Sequence, residues 1–144
     1  MKMKKFLTLG LAAIMAVSMV GCVNQHPEET NGTTASSDDV RIVATSPATA
    51  DICDRLELDL VGVCSSTLST IPERYKDVTQ IGTAMSPDLE ILKSLKPDYV
   101  LSPSSLQSDL QPKYESIGVN SIFLNLKSVE GMYASISDLG QKFD

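Results

Sequence analysis

The sequence predicts an α/β fold over residues 40–144, with a parallel sheet between two layers of helices. Short, almost wholly apolar runs recur at Arg41–Thr45, Leu60–Val63, Tyr99–Leu101 and Ser121–Leu124, the pattern of strands covered on both faces. Segments with helical apolar spacing separate them. The segments at Ser46-Pro47, Ser86-Pro87-Asp88 and Ser128 open on a capping or proline signal. Strands that alternate with helices imply βαβ units and a three-layer architecture.

The chain opens differently. Lys2, Lys4 and Lys5 precede an uncharged apolar run from Phe6 to Val20, and Gly21-Cys22 follow. A run this short reads as a signal segment rather than a membrane span. Met19-Val20-Gly21-Cys22 resembles the bacterial lipobox, with Met19 where leucine is usual. Gly21 leaves room for a peptidase, and the Cys22 thiol is the expected lipidation site. Residues 1–21 are thus expected to be a lipoprotein signal peptide. Residues 22–39 are polar and nearly free of large apolar groups, too poor in apolar surface to order themselves, and suit a flexible tether. His26, the only histidine, falls in this tether.

From Val40 onward each element has its own signal. Arg41–Thr45 is the first strand. Ser46 caps a helix with Pro47 in its first turn, and Ala48, Ile52 and Leu56 carry its apolar stripe to about Leu58. Leu60–Val63 is the second strand, and Cys64–Pro72 a Ser/Thr-rich loop. Val78–Ile81 is expected to be a short third strand. Ser86 is expected to cap the next helix, with Asp88 and Glu90 at its positive end and a stop at Lys96-Pro97. Tyr99–Leu101 is a strand, Leu106–Ile117 a helix closed by Gly118, and Ser121–Leu124 the last strand. Ser128 caps a final helix from about Val129. Ligands of such sheets gather beyond the carboxyl ends of the strands. Here those ends are Thr45–Thr49, Cys64–Thr70, Gly82–Ser86 and Ser102–Leu106, uncharged loops with one thioether, Met85.

Charge excludes one class of partner. The net charge is −6, and residues 1–21 hold three lysines and no acid, so the remaining 123 residues carry −9. Such a chain does not bind nucleic acid by charge attraction. Cys53 and Cys64 could pair outside the cytoplasm, but two cysteines make no framework, and buried free thiols are the expectation. The sequence holds no hydrolase elbow, phosphate loop, dinucleotide fingerprint or metal-ligand cluster. Without a histidine after residue 39, an enzyme has little to work with.

The stretch Ile81–Leu101, IGTAMSPDLEILKSLKPDYVL, carries a specific resemblance. Its glycine, short loop, Pro-Asp-Leu-Glu and Leu-Lys-Pro-Asp before a strand resemble the substrate-binding lipoproteins of ABC importers. The branch is the class III one, with a rigid helical backbone between two lobes, which captures siderophores, cobalamin and heme. Arg41–Ser46, Asp59–Val63, Pro72–Val78 and Leu126–Val129 resemble it as well. Within the branch the chain is most similar to the Gram-positive heme-receptor lipoproteins of iron-regulated surface systems.

The resemblance implies roles for particular residues. Met85 stands where those receptors ligate heme iron, and a thioether is a recognised axial ligand; spacing alone favours instead a pocket-lining or core methionine that fills space, and only the flanking sequence turns the reading toward ligation. Ser46, Ala48 and Thr49 match the first ligand loop, where helix-start N–H groups hold a propionate; plain capping also accounts for Ser46. Ser66 and Thr67 fall in the second loop, which lacks the family's usual aromatic and lysine. Glu90 matches the acid that meets arginines of the membrane permease, while also stabilising a helix start by up to about 1 kcal/mol. The family is two-lobed, so a protein cut short before the second lobe is expected. The histidine that supplies the opposite axial ligand in the heme receptors is expected to be missing together with that lobe. The expected function is extracytoplasmic heme capture for a permease and its ATPase, from a lipid anchor on the cell membrane. A ferric siderophore or cobalamin is the alternative cargo. A lipid-anchored α/β enzyme and a nonfunctional fragment are the other readings.

Overall fold

The structure, a computed structural model, describes residues 40–143. The expected signal peptide 1–21, with Cys22, His26 and the rest of the tether 22–39, lies outside the described residues.

Four strands form one parallel sheet: β1 (Ile42–Ala44), β2 (Leu60–Val63), β5 (Tyr99–Pro103) and β6 (Ser121–Leu124), in the order β2-β1-β5-β6. The pleat sends alternate side chains of the central strands to opposite faces. Ile42, Ala44 and Leu101 join one core, and Val43 and Val100 the other. The first core is closed by Ala50, Ile52 and Cys53 of α1 (Pro47–Arg55) and by Leu139 and Phe143 of α4 (Val129–Phe143). The second is closed by Leu92 of α2 (Leu89–Leu95) and by Leu110 and Tyr114 of α3 (Gln107–Ser116). The three layers are those expected from the sequence. Gly62 admits α2 onto the sheet: a Cβ there would lie 2.8 Å from Leu95 Cδ1.

Helix ends follow local chemistry. Ser46 and Thr49 form a capping box at α1, with Thr49 N–H donating to Ser46 Oγ and Ser46 N–H to Thr49 Oγ1. α1 stops at Arg55, three residues before the expected Leu58. Glu57 turns left-handed at φ 58°, Glu57 N–H donates to Asp54 O and Leu58 N–H to Cys53 O. That is a Schellman closure with glutamate where glycine is usual, so nothing in the composition announces it. α3 closes the same way at Gly118, φ 73°, as its glycine foretold. Ser128 Oγ accepts from Gly131 N–H at the start of α4.

Two expectations are corrected between Val78 and Glu90. No strand forms over Val78–Ile81; Gln80 makes a single parallel bridge with Val63. Val63 N–H donates to Thr79 O and Ile81 N–H to Val63 O, and then Gly82, at φ 90°, turns the chain out of the sheet. Ser86 does not cap the helix. Ser86 and Pro87 form β4, which pairs antiparallel with β3 (Gly82–Thr83), and the cap is Asp88, whose carboxylate accepts from Glu90 and Ile91 N–H.

The long connection after β2 is held to the α1–β2 corner. Arg74 donates to Glu57 O and to Asp59 at 2.7 Å, and the buried Tyr75 donates its hydroxyl to Leu58 O at 2.6 Å.

Cys53 and Cys64 are free and buried. Burial raises their pKa to about 12 and about 11, against 9.0 for an open thiol. Burial raises the phenols of Tyr75 and Tyr114 as well. Above pH 9 the unfolded chain sheds thiol protons that the folded chain keeps, so the folded state is the more protonated and loses stability as pH rises. Urea melts should show a constant midpoint up to about pH 8 and a falling one above about pH 9. Cys53→Ala should make that fall shallower.

Candidate functional site

The strand order places the reversal of connection between β1 and β5, where such sheets open a crevice at their carboxyl edge. At that point the two strand ends are locked by hydroxyls. Thr45 Oγ1 donates to Leu101 O at 3.1 Å and lies 2.7 Å from Ser102 Oγ, which lies 3.1 Å from the Tyr114 hydroxyl. All three side chains are fully buried. The network leaves no buried side-chain polar atom unpartnered among the described residues, so it stiffens the crevice floor rather than destabilising it. Nothing in the spacing of Thr45, Ser102 and Tyr114 announced this network; only the strand register brings them together.

Beside this floor, at the ends of β1 and β2, lies an open cleft of about 600 Å³, within the usual range for small-molecule sites. Its wall is Pro47 from the α1 start, Ser65–Ser69 after β2, Gln80, and Thr83, Ala84 and Met85 of the hairpin. None of these residues is charged. The expected loops Cys64–Thr70 and Gly82–Ser86 are therefore brought together, whereas Ser102–Leu106 contributes nothing to the wall. Gln80 went unmarked in the sequence, because its place follows from the single bridge to Val63.

Met85 stands at the hairpin tip and is 73% exposed. Its hairpin is rooted in the core. Asp88 N–H donates to Ile81 O at 2.7 Å, Ser65 N–H donates to Gly82 O at 2.8 Å, and Ile81 is fully buried. Gly82 is required there: its φ is 90°, and a Cβ would lie 2.9 Å from Ser86 O.

The first-loop residues divide their tasks. The Ser46 and Thr49 hydroxyls are both buried and bonded to each other, at 3.1 Å, in the capping box. Ala48 is exposed, and its N–H meets no acceptor among the described residues. It is one of the open donors of a helix start. Ser66 Oγ accepts from Leu68 and Ser69 N–H, folding its own loop, and Thr67 is exposed at the rim. Glu90 is exposed in the first turn of α2, five residues beyond Met85. Among the described residues no group of three His, Cys, Asp or Glu side chains could hold a metal ion. A metal-bearing ligand therefore finds one donor of soft character in this wall, the Met85 thioether. No helix of the described residues is long and apolar enough to cross a membrane.

The chain is similar to known proteins in both sequence and fold. The chain is 36% identical over all its 144 residues to the high-affinity heme uptake system protein IsdE of Staphylococcus aureus. A crystal structure of an ABC transporter substrate-binding protein from Listeria monocytogenes superposes with a TM-score of 0.71 at 45% identity, over 73% of this chain and 40% of that one. The S. aureus IsdE structure complexed with heme superposes with a TM-score of 0.69 at 41% identity, over 73% of this chain and 40% of that one. The chain spans about half the length of the curated relative, 47%. Residues 42–144 match the periplasmic binding protein family, and the chain belongs to it.

Proposed function

We propose that this chain is the ligand-capturing lobe of an extracytoplasmic lipoprotein that hands heme to an ABC importer. It captures and releases its ligand and does no covalent chemistry. The observation that carries the reading is the Met85 thioether, exposed in the wall of an uncharged cleft at the carboxyl edge of the sheet, in a chain 41% identical to a protein crystallised with heme.

Each part of the cleft has a matching part of the ligand. Pro47, Leu68 and Ala84 offer apolar surface to the macrocycle. Met85 offers its sulfur to the iron, a ligand that favours the reduced metal. Ala48 follows the lining residue Pro47 without itself lining the cleft, and its open N–H, with the Ser66 and Thr67 hydroxyls of the wall, serves a propionate. Ser46 and Thr49 act one step back, holding the turn that presents Ala48. The lack of any cation in this wall also suits a ferric siderophore or cobalamin, which bring fewer free carboxylates, and this is the second reading of the cargo.

Glu90, exposed in the first turn of α2, supplies the contact with arginines of a permease whose ATPase drives uptake. Cys22 supplies the lipid anchor that keeps the protein at the outer face of the cell membrane; stable anchoring takes two acyl chains or more.

Hemin titration of the purified protein should produce a shifted Soret band. Met85→Ala should weaken binding by more than about tenfold, since loss of a mere outer-shell partner already costs that much. An unchanged titration contradicts the heme reading. With the reconstituted importer, Glu90→Ala should reduce heme-stimulated ATP hydrolysis by about tenfold, some 1.4 kcal/mol of docking energy, while hemin affinity stays the same. In a Gram-positive host, Cys22→Ala should abolish palmitate labelling and release the protein into the medium.

A further inference from the structure

Four sulfur-bearing side chains lie among the described residues: Cys53, Cys64, Met85 and Met132. Cys53 and Cys64 are fully buried, and burial keeps them as neutral thiols, the less reactive form. Met132 is half-buried on α4, beside Val129 and Leu126. Met85 alone stands clear of the core, 73% exposed at a hairpin tip that opens into the cleft. Of these four sulfurs, that of Met85 is thus the one that a small solute oxidant meets first.

We infer that Met85 is a peroxide-sensitive modification site whose oxidation closes the cleft to its metal-bearing ligand. The reaction balances with hydrogen peroxide as oxidant. A sulfur lone pair attacks one peroxide oxygen, the O–O bond breaks, and the products are the methionine sulfoxide and water. The thioether is oxidised by two electrons, and the peroxide is reduced by two. The product replaces a soft, apolar donor with a polar, chiral S=O group. It loses the sulfur's affinity for the iron and places a strong hydrogen-bond acceptor in the apolar part of the wall. Methionine sulfoxide reductases restore the thioether, one enzyme for each epimer, so the change is reversible.

The consequence for binding rests on the heme reading of the cleft; the order of oxidation does not. The purified protein is first titrated with hemin, and a failure to bind at this stage overturns the heme reading, and with it the proposed closure, before any oxidant is added. The protein is then treated with graded hydrogen peroxide, the oxidant is removed, and peptides are mapped by mass. The Met85 peptide should gain one oxygen well before the Met132 peptide. Hemin binding should fall in proportion to Met85 sulfoxide and return after treatment with both reductases. Met132→Leu should leave the response unchanged, which shows that Met132 oxidation plays no part. Equal or faster oxidation of Met132 overturns the inference, and so does full hemin binding by protein whose Met85 is fully oxidised.

Discussion

A single backbone hydrogen bond, Asp88 N–H to Ile81 O at 2.7 Å, closes the segment on which the site depends. It can form only because Gly82 adopts φ 90° and carries no Cβ against Ser86 O. One end of the loop, Ile81, is buried in the core with Val43, Leu92 and Val100. The other end is Asp88, which caps α2 with its carboxylate. The closure therefore does two things at once. It stands Met85 out from a rigid base, and it starts the helix that carries Glu90. The proposed ligand contact and the proposed permease contact thus share one covalent frame of ten residues, Ile81–Glu90. A rigid donor loses less entropy on ligation than a mobile one, which suits the proposed capture of a ligand.

The rest of the fold supplies the wall opposite. Parallel strands bring β1 and β2 to end at the same edge, so the α1 start and the Ser65–Ser69 loop face the hairpin across the cleft. The Thr45–Ser102–Tyr114 hydroxyls hold the ends of β1 and β5 in register beneath them. Each hydroxyl is buried, so breaking the chain would strand a polar atom at about 1–3 kcal/mol. Thr45 directly precedes Ser46, whose capping box with Thr49 then holds the α1 start.

Much of this was legible in the sequence. The four strands were readable because both faces are covered, which makes their runs continuously apolar. The starts of α1 and α4 were readable from Ser46-Pro47 and Ser128, because those side chains form the caps. The misreadings share one cause, which is that local signals were outvoted by backbone geometry. Ser86-Pro87 has the composition of a helix start, yet Gly82 pairs those residues into a hairpin and passes the cap to Asp88. Val78–Ile81 has the composition of a strand, yet the same glycine turns the chain away after one bridge. Glu57 ends α1 in a left-handed turn without glycine, driven by burial of Leu58 against the core. In the candidate site, the meeting of the loops Cys64–Thr70 and Gly82–Ser86 was legible, because strands of a parallel sheet end at one edge. The division of labour between Ser46, Thr49 and Ala48 was not, because it depends on which donors the capping box consumes.

The proposed capture of heme rests on a bond between the Met85 sulfur and the iron. X-ray absorption at the iron edge of the hemin-loaded protein detects that bond. The expected result is an iron–sulfur scattering path in the loaded protein that disappears in Met85→Leu. An iron shell of nitrogen and oxygen alone in the unsubstituted protein would contradict it.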